Sequence, residues 1–510
     1  MWNQECLNDL WDAGCTNDKL SVLAKGNESV LVAIKTSEGR TERTTMKNII
    51  MQGTVNAGLF CTATMDKLAK TAYADKKLLY KYKGVVEVPP LEMVDDVLTI
   101  AKCSFAAVTL NAAVNAFIEN KKLTLSQEKC SVLHVGKGHS KCYDQKVHGR
   151  KMHQVDSTKY LGDIIHKSAK GATNIAARRV KAVASFSVIR AILEDIPLGK
   201  YRTEIGLELR QALFLNSVLF NCETWHGLKE TDITEIKLID NQILRFICSS
   251  HAKTPLEFLF LETGAIPVSF IIASRRMNYL HEILTRDDKE LVKRVFLAQE
   301  ANSSQGDFFQ LVSSDFVRFG SKLDKNSICS MTKTQHKLHI RKLAKAAAFK
   351  ELSEIQAGHI KVNSILYKSL DTQEYLTSSQ FSNNEAKLLF ALRSHSTRGI
   401  KANFSSAHKD DIYCPLKCEA TPLLDDQRHL LVCKSLCRNL STSHLEALRT
   451  IKYEDIYGPI YRQKEAVNVF WSLLSIREKL LEHPKTTPPA ASGYTLVTAL
   501  PASQESGGDR

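Results

Sequence analysis

Several things are scarce or missing in this 510-residue chain, and each narrows what it can do. No apolar run approaches the roughly 18 residues needed to cross a bilayer, which argues against a membrane partner. The opening stretch, "MWNQECLNDLWDAG", has neither a basic start nor a long apolar core, so it does not read as a secretory signal. There is no repeat of fixed period. The thirteen cysteines are odd in number and scattered, which speaks against a disulfide framework and for a reducing, intracellular compartment, nucleus or cytoplasm. Acidic residues are outnumbered, 55 against 69 Lys and Arg, giving a net charge of +14 and a sequence pI near 9.1. That balance favours a polyanionic partner, with nucleic acid ahead of an anionic membrane surface. What is present is enough apolar content, 44%, to build real cores, and length for roughly three domains at about 150 residues each.

Along the chain, Cys6, Leu7, Leu10 and Trp11 recur at helical spacing and Gly14 is placed as a C-cap. Ser29–Lys47 reads as a hairpin around Glu38–Gly39, and Met51–Lys70 as a glycine turn leading into an apolar helix. Gly84–Cys103 holds a β-run ending at Pro89–Pro90, then a second apolar run. Ser104–Leu123 is an alanine-rich helix, and "CSVLHVG" and Thr158–His166 are two further short strands. From about Lys170 the pattern becomes long helices lasting to about Leu480, followed by a Pro, Ser and Gly-rich tail with the composition of disorder. The fold class is therefore α+β: a small mixed module, a long basic helical body and a small Cys/His segment.

The segment "LEMVDDVLTI" places Asp95 and Asp96 side by side in an apolar run. Three other Asp pairs, Asp287–Asp288, Asp410–Asp411 and Asp425–Asp426, sit among polar residues and read as solvated turns. Burying two adjacent unpaired carboxylates is costly, so the first pair calls for a metal or for a tight turn at the rim of a sheet. A strand, an Asp–Asp turn and a second strand would project both carboxylates from one edge. Such an edge suits Mg²⁺, a hard cation that shares oxygen ligands with substrate phosphates.

The order of the flanking pieces adds to this. "MQGTVNAGLF", then "MVDD", then "LTLSQEKC", then "KYLG" together resemble the palm of a reverse transcriptase, most closely the polymerases of non-LTR (LINE-type) retrotransposons. "NSVLFNCETWHGL", "DNQILRFICSS", "TPLEFLFLETGAIPVSFIIASRRMNYLHEIL" and "CPLKCEATPLLDDQRHLLVC" resemble that family's thumb and C-terminal region, so the likeness spans most of residues 1–440. The resemblance implies a partial palm, an antiparallel sheet with helices, over 1–168. It implies a helical thumb over 169–300, a basic helical region over 301–405 and a zinc-knuckle-like element over 406–440, while pattern and composition give C-terminal helices over 441–481 and a disordered tail over 482–510. It implies RNA-templated DNA synthesis by two-metal nucleotidyl transfer, with an RNA template, a DNA primer and dNTPs as partners. Asp95 would be the essential Mg²⁺ ligand and Asp96 its support. Gln52 and Gly53 would shape the nucleotide and template pocket, Lys129 would assist pyrophosphate departure, and Lys159, Tyr160, Leu161 and Gly162 would form the primer grip. Met93 stands where many reverse transcriptases have an aromatic residue. The family's first catalytic aspartate lies on a strand before a helix resembling "WNQECLNDLWDAG", and Met1 falls at the start of that helix. Asp9 and Asp12 lie inside the helix pattern and do not replace it. The expectation is a chain inactive alone, or a non-catalytic RNA- or DNA-binding remnant.

Cys414, Cys418, His429 and Cys433 are spaced C-x3-C-x10-H-x3-C, a donor set suited to structural, tetrahedral Zn²⁺. Cys437 is an alternative fourth ligand. His139, Cys142, His148 and His153 form a looser group in a basic loop and read as solvated. Lys333, Lys337, Arg341 and Lys345 recur every four residues as a helical stripe, with Arg178, Arg179, Lys181 and Arg275–Arg276 as further basic clusters for a phosphate backbone. Trp225 reads as a packing aromatic.

Overall fold

The computed structural model describes residues 3–27, 30–46, 55–72, 75–136, 144–147, 149–225, 230–252, 254–357, 367–397, 400 and 412–482. It divides into two compact units, Met1–Lys387 and Leu388–Arg510. The chain is α+β and mostly helical.

In the first unit, α1 (Asn3–Asp12) ends where Gly14 adopts φ +91°, with Gly14 N–H bonded to Trp11 O and Cys15 N–H to Leu10 O. Glycine reaches that conformation without a Cβ penalty. After α2 (Asn17–Asn27), α3 (Val55–Ala72) divides its apolar residues between two neighbours. Phe60 packs with Cys6 and Leu10 of α1. Cys61, Met65 and Leu68 pack with Phe117 and Ile118 of α4 (Ser104–Asn120), and Val97 rests against that cluster.

The strands are two to four residues long. β1 (Val30–Val32) pairs with β4 (Thr44–Met46), enclosing β2 (Lys35–Thr36) paired with β3 (Gly39–Arg40), which is the hairpin read around Glu38–Gly39. β5 (Tyr80–Tyr82) pairs with β6 (Val86–Val88), and β7 (Leu91–Met93) with β8 (Asp96–Leu98). β9 (Ser131–Leu133) lies parallel to β12 (His153–Val155), while β10 (Lys146–Val147) and β11 (Arg150–Lys151) form their own hairpin. Thr158–His166 is two strands rather than one, β13 (Ser157–Tyr160) and β14 (Asp163–His166), reversed at Leu161 and Gly162 with φ +47° and +89°. Each ladder has two strands, so among the described residues no single palm-like sheet forms. Strands this short, each bonded along one edge, remain separate two-stranded ladders.

The helical body begins with α5 (Ala172–Leu193), which packs against the helix Glu230–Ile247. A π-helical segment, Arg210–Leu215, is fastened to it where Ser185 Oγ donates to Leu213 O at 2.9 Å. Further on, the helix Val268–Leu284 packs against the long helix Lys333–Ala357. Among the described residues no single helix is long and apolar enough to cross a membrane. The one bent pair that approaches it, Leu256–Thr263 with Val268–Leu284, supplies core residues such as Phe258, Leu261, Phe270 and Met277. The β5–β6 hairpin is pinned to this body at its turn. Lys83 Nζ reaches Asp307 at 2.6 Å, Ser304 Oγ at 3.1 Å and the Asn302 carbonyl, and Gln299 donates to Tyr82 Oη at 3.1 Å.

The second unit wraps short helices around the helix Ile460–Glu482, whose Val467, Phe470 and Leu473 are buried. Asp425 is fully buried and meets Arg477 of that helix at 2.6 Å. It is an internal anchor, not the solvated turn its polar neighbours suggested. Gln427, equally buried, accepts from Tyr453 Oη at 2.9 Å and donates to Thr397 Oγ1 at 2.9 Å.

Candidate functional site

The aspartate pair lies at the tip of the β7–β8 hairpin, where Met93 pairs with Asp96 across the two-residue turn Val94–Asp95. Both carboxylates are exposed, so the turn, not burial, resolves the cost of placing them together. The turn has its own cost. Val94 has φ +60°, and a β-branched residue in the left-handed region is strained by roughly 1–3 kcal/mol. Strain of this kind persists where the surroundings fix it, and it concentrates at functional sites.

Alternation divides the hairpin's faces. Glu92 and Val97 are directly opposite, and Val97 packs on the α3–α4 cluster. Glu92 therefore points toward α3. Burial, followed by the nearby Asp66 carboxylate, pushes its carboxyl up to about 7, and its Oε1 is buried without a partner. Asp95 lies close enough to Cys61 of α3 to add to the upward effect of burial on that thiol. On the other side, Tyr160 donates to Leu91 O at 3.0 Å. Burial raises the Tyr160 phenol, and the charges of Asp96 and Glu92 add to it. Sequence reasoning passed over Glu92. The signal for it is parity, because an acidic residue one position before Met93 falls on the inward face of the strand.

The segments of the resemblance are thus partly assembled. The hairpin bearing Lys159, Tyr160, Leu161 and Gly162 docks on the aspartate hairpin. Its neighbour β9 joins it where Ser131 Oγ and Thr158 Oγ1 lie 3.3 Å apart. Lys129 is on a 3-10 turn, Gln127–Lys129, just before β9 and not on a strand, and it is exposed. Gln52 and Gly53 lie outside the described residues. Asp9 is not available as a third carboxylate. It is buried, with Lys67 at 2.7 Å and Lys121 at 2.9 Å, and although burial pushes its carboxyl up, bonds from the two lysines outweigh this and hold it low. Among the described residues no third carboxylate joins Asp95 and Asp96 in a group able to hold a metal ion.

The Cys/His segment does form such a group. The ligand atoms of Cys414, Cys418, His429 and Cys433 all lie within 4.8 Å of one another, with Cys418 Sγ 3.3 Å from His429 Nε2 and Cys414 Sγ 3.9 Å from Cys433 Sγ. Bond lengths of about 2.3 Å to sulfur and 2.0 Å to nitrogen put tetrahedral zinc ligands roughly 3.3–3.8 Å apart, so the cluster fits a zinc ion. The x3 spacing between the first two cysteines is absorbed at Lys417, with φ +43°, whose N–H bonds to Cys414 O at 3.2 Å. Asp426 caps the helix Gln427–Val432 by accepting from the backbone N–H of His429 at 2.7 Å. Burial and then the neighbouring sulfurs push the Cys418 thiol up to about 12, so holding these groups as thiolates requires a cation. Cys437 is outside the cluster, donating to Leu431 O at 3.7 Å, and Cys433 is the fourth member of the group that could hold an ion. Of the second Cys/His group only His153 is described, exposed on β12.

The basic clusters divide. Arg178 is buried, bonded to Gly162 O at 2.9 Å and Asp163 at 2.6 Å, and Arg276 is paired with Asp315 at 2.7 Å, while Arg275 donates to Leu219 O. These three are structural. Lys333 and Lys345 pair with Glu282 and Asp371, leaving Lys337 and Arg341 unpaired and exposed on one helix face with Lys342 beside them. Arg179 pairs with Glu235 at the surface. Lys181 lines a groove of about 390 Å³ with Ala184, Ser185, Val188, Ala212, Leu213 and Ser217. Trp225 is buried, as its packing role required. No protein-family model and no curated protein matches this chain.

Proposed function

We propose that this chain is a nucleic-acid-binding protein of the reverse-transcriptase type, related to non-LTR retrotransposon polymerases. The observation that carries the reading is the docking of the Lys159–Gly162 hairpin onto the aspartate hairpin through Tyr160. Residues 69 positions apart, in segments each weak alone, meet at one edge. Around that edge Met93, Val94, Leu161 and Phe220 are exposed, and the groove beside Lys181 lies on the same helix as Arg178. An apolar track flanked by cations suits a nucleic-acid strand, whose phosphates take the charges and whose bases and sugars take the apolar surface.

Asp95 and Asp96 are the residues that would hold a divalent cation, which would supply charge stabilisation to a hydroxyl and a pyrophosphate. The chain's own part is to hold Asp95 and Asp96 at an exposed, strained turn. With Asp9 committed to two lysines and no third carboxylate grouped with Asp95 and Asp96 as a metal site among the described residues, the reading is a binder that does not itself extend a primer. The C-terminal Cys3His element is a structural zinc site that completes the second unit.

Primer extension by the purified 510-residue chain, with Mg²⁺, an RNA template and a DNA primer, tests the catalytic half. The expected result is RNA binding that weakens steeply with salt and no extension above background. Extension abolished by Asp95→Asn would show the chain to be a polymerase in its own right. Salt-insensitive or absent binding would remove the nucleic-acid reading altogether.

A further inference from the structure

We propose that Tyr160 and Arg178 are positioning residues, the two ends of a rigid link through which the α5 surface sets the placement of the aspartate hairpin. The link is the β13–β14 hairpin. At its turn it is fixed by the helical body from three directions. Arg178 Nη2 donates to Gly162 O at 2.9 Å and to Asp163 Oδ1 at 2.6 Å. Asn174 Nδ2 donates to the same Asp163 oxygen at 3.2 Å, and its Oδ1 accepts from Ile164 N–H at 3.3 Å. Asn221 donates to Leu161 O at 3.2 Å. Both carbonyls of a turn in the left-handed region are thereby held. Gly162 has no room to change, since a Cβ there would stand 3.0 Å from the Phe220 ring.

At the other end, Tyr160 supplies the one side-chain hydrogen bond that reaches the backbone of β7–β8 among the described residues. Tyr160 also pairs with Asp163 across its own hairpin, so the residue gripped by Arg178 and the residue gripping β7 are direct cross-strand partners. Arg178 is nearly fully buried, and its Nε and Nη1 are left without partners. A buried guanidinium with two unmatched nitrogens is expensive. What it gains in return is the hold on Gly162 O and Asp163, which points to a role in fixing the turn. The same helix carries an exposed row of Ala176, Val180, Ala184, Val188 and Ile192, one turn apart, beside the groove at Lys181. Any ligand that seats on α5 therefore acts on a helix bonded directly to the link. The link is independent of the function proposed above; only the nucleic acid used as the ligand rests on that reading.

Hydrogen exchange on the full chain tests it. Tyr160→Phe is expected to speed exchange at Leu91–Leu98 by about five- to tenfold, the size of one lost hydrogen bond, and to leave 157–166 at wild-type rates. Arg178→Met should loosen both hairpins, Arg178→Lys should restore part of the protection, and the Tyr160→Phe/Arg178→Met double variant should loosen β7–β8 no more than Tyr160→Phe alone. If Arg178→Met does not fold, Asp163→Asn is read in the same way. A short RNA–DNA duplex should protect 91–98 in the wild type and not in Tyr160→Phe, while protecting α5 in both. Loosening of 157–166 by Arg178→Met or Asp163→Asn with 91–98 unchanged overturns the link. A duplex that leaves α5 unprotected overturns the nucleic-acid reading, and the variants without duplex still decide the link.

Discussion

Replacing Glu92 by Gln should remove a pH dependence built into the aspartate hairpin. Glu92 ionises near 7 in place of its ordinary 4.5, because burial and then Asp66 oppose its charge. The folded chain thus holds a proton that the unfolded chain releases between those values. The hairpin is most stable below about 4.5, and that stability is lost as pH rises through 7. At about 1.4 kcal/mol for each tenfold in proton affinity, the full cost of ionising Glu92 is bounded at roughly 3 kcal/mol. Water reaching one edge of a two-stranded hairpin lowers this to about 1–2 kcal/mol, a factor of roughly 5–30 in a local opening equilibrium. Hydrogen exchange at Leu91–Leu98, corrected for intrinsic rates, should show protection falling by that factor between pH 5 and pH 8.5. In Glu92→Gln, which keeps the shape and cannot ionise, protection should stay level and exceed the wild type at high pH. In Asp66→Asn the midpoint should move below 7, since one of the two causes has been removed. Equal slopes in wild type and Glu92→Gln would refute the reasoning, because some other group would then be titrating.

Val94→Gly should relieve the left-handed turn, and thermal or urea unfolding should show stability unchanged or raised by up to about 1 kcal/mol, the strain relieved exceeding the added chain entropy. Metal analysis of the purified chain should find one equivalent of zinc, lost in Cys414→Ser and retained in Cys437→Ser; loss in both would reassign the fourth ligand. The double variant Lys337→Ala/Arg341→Ala should lower the slope of log affinity against log salt by about 2 for a duplex, with little change in stability. An unchanged slope would mean that this face carries no phosphate contacts.

Much of the helical outline was readable because periodicity and capping residues act locally, as at α1 with Gly14 and α4 with its alanines. The zinc ligands were readable for a similar reason, since a chelating set must lie close in sequence when it closes one small loop. Burial of charged residues was not. Asp95 and Asp96, set among apolar residues, are exposed because a turn carries them out of the hairpin. Asp425, set among polar residues, is buried because Arg477, 52 positions later, is there to receive it. Arg178 follows the same rule: its sequence neighbours made it a surface cation, and its partner Asp163 made it a buried one. A pattern of neighbours reports the solvent-facing preference of a segment, while the partner that reverses it comes from elsewhere in the chain. Sheet assembly failed for a related reason, since strands can be recognised singly but the pairing of their edges is a long-range property.

The contact of Lys83 with Asp307 has a consequence for the order in which this molecule assembles. The two residues are 224 positions apart, and closing a loop of that length costs roughly 5 kcal/mol by the logarithmic law for flexible chains. A single partly buried ion pair does not repay that sum. The contact forms only after the helices between them have packed and brought the ends together. It follows that on the ribosome the β5–β6 hairpin must wait for some two hundred later residues before it finds this anchor.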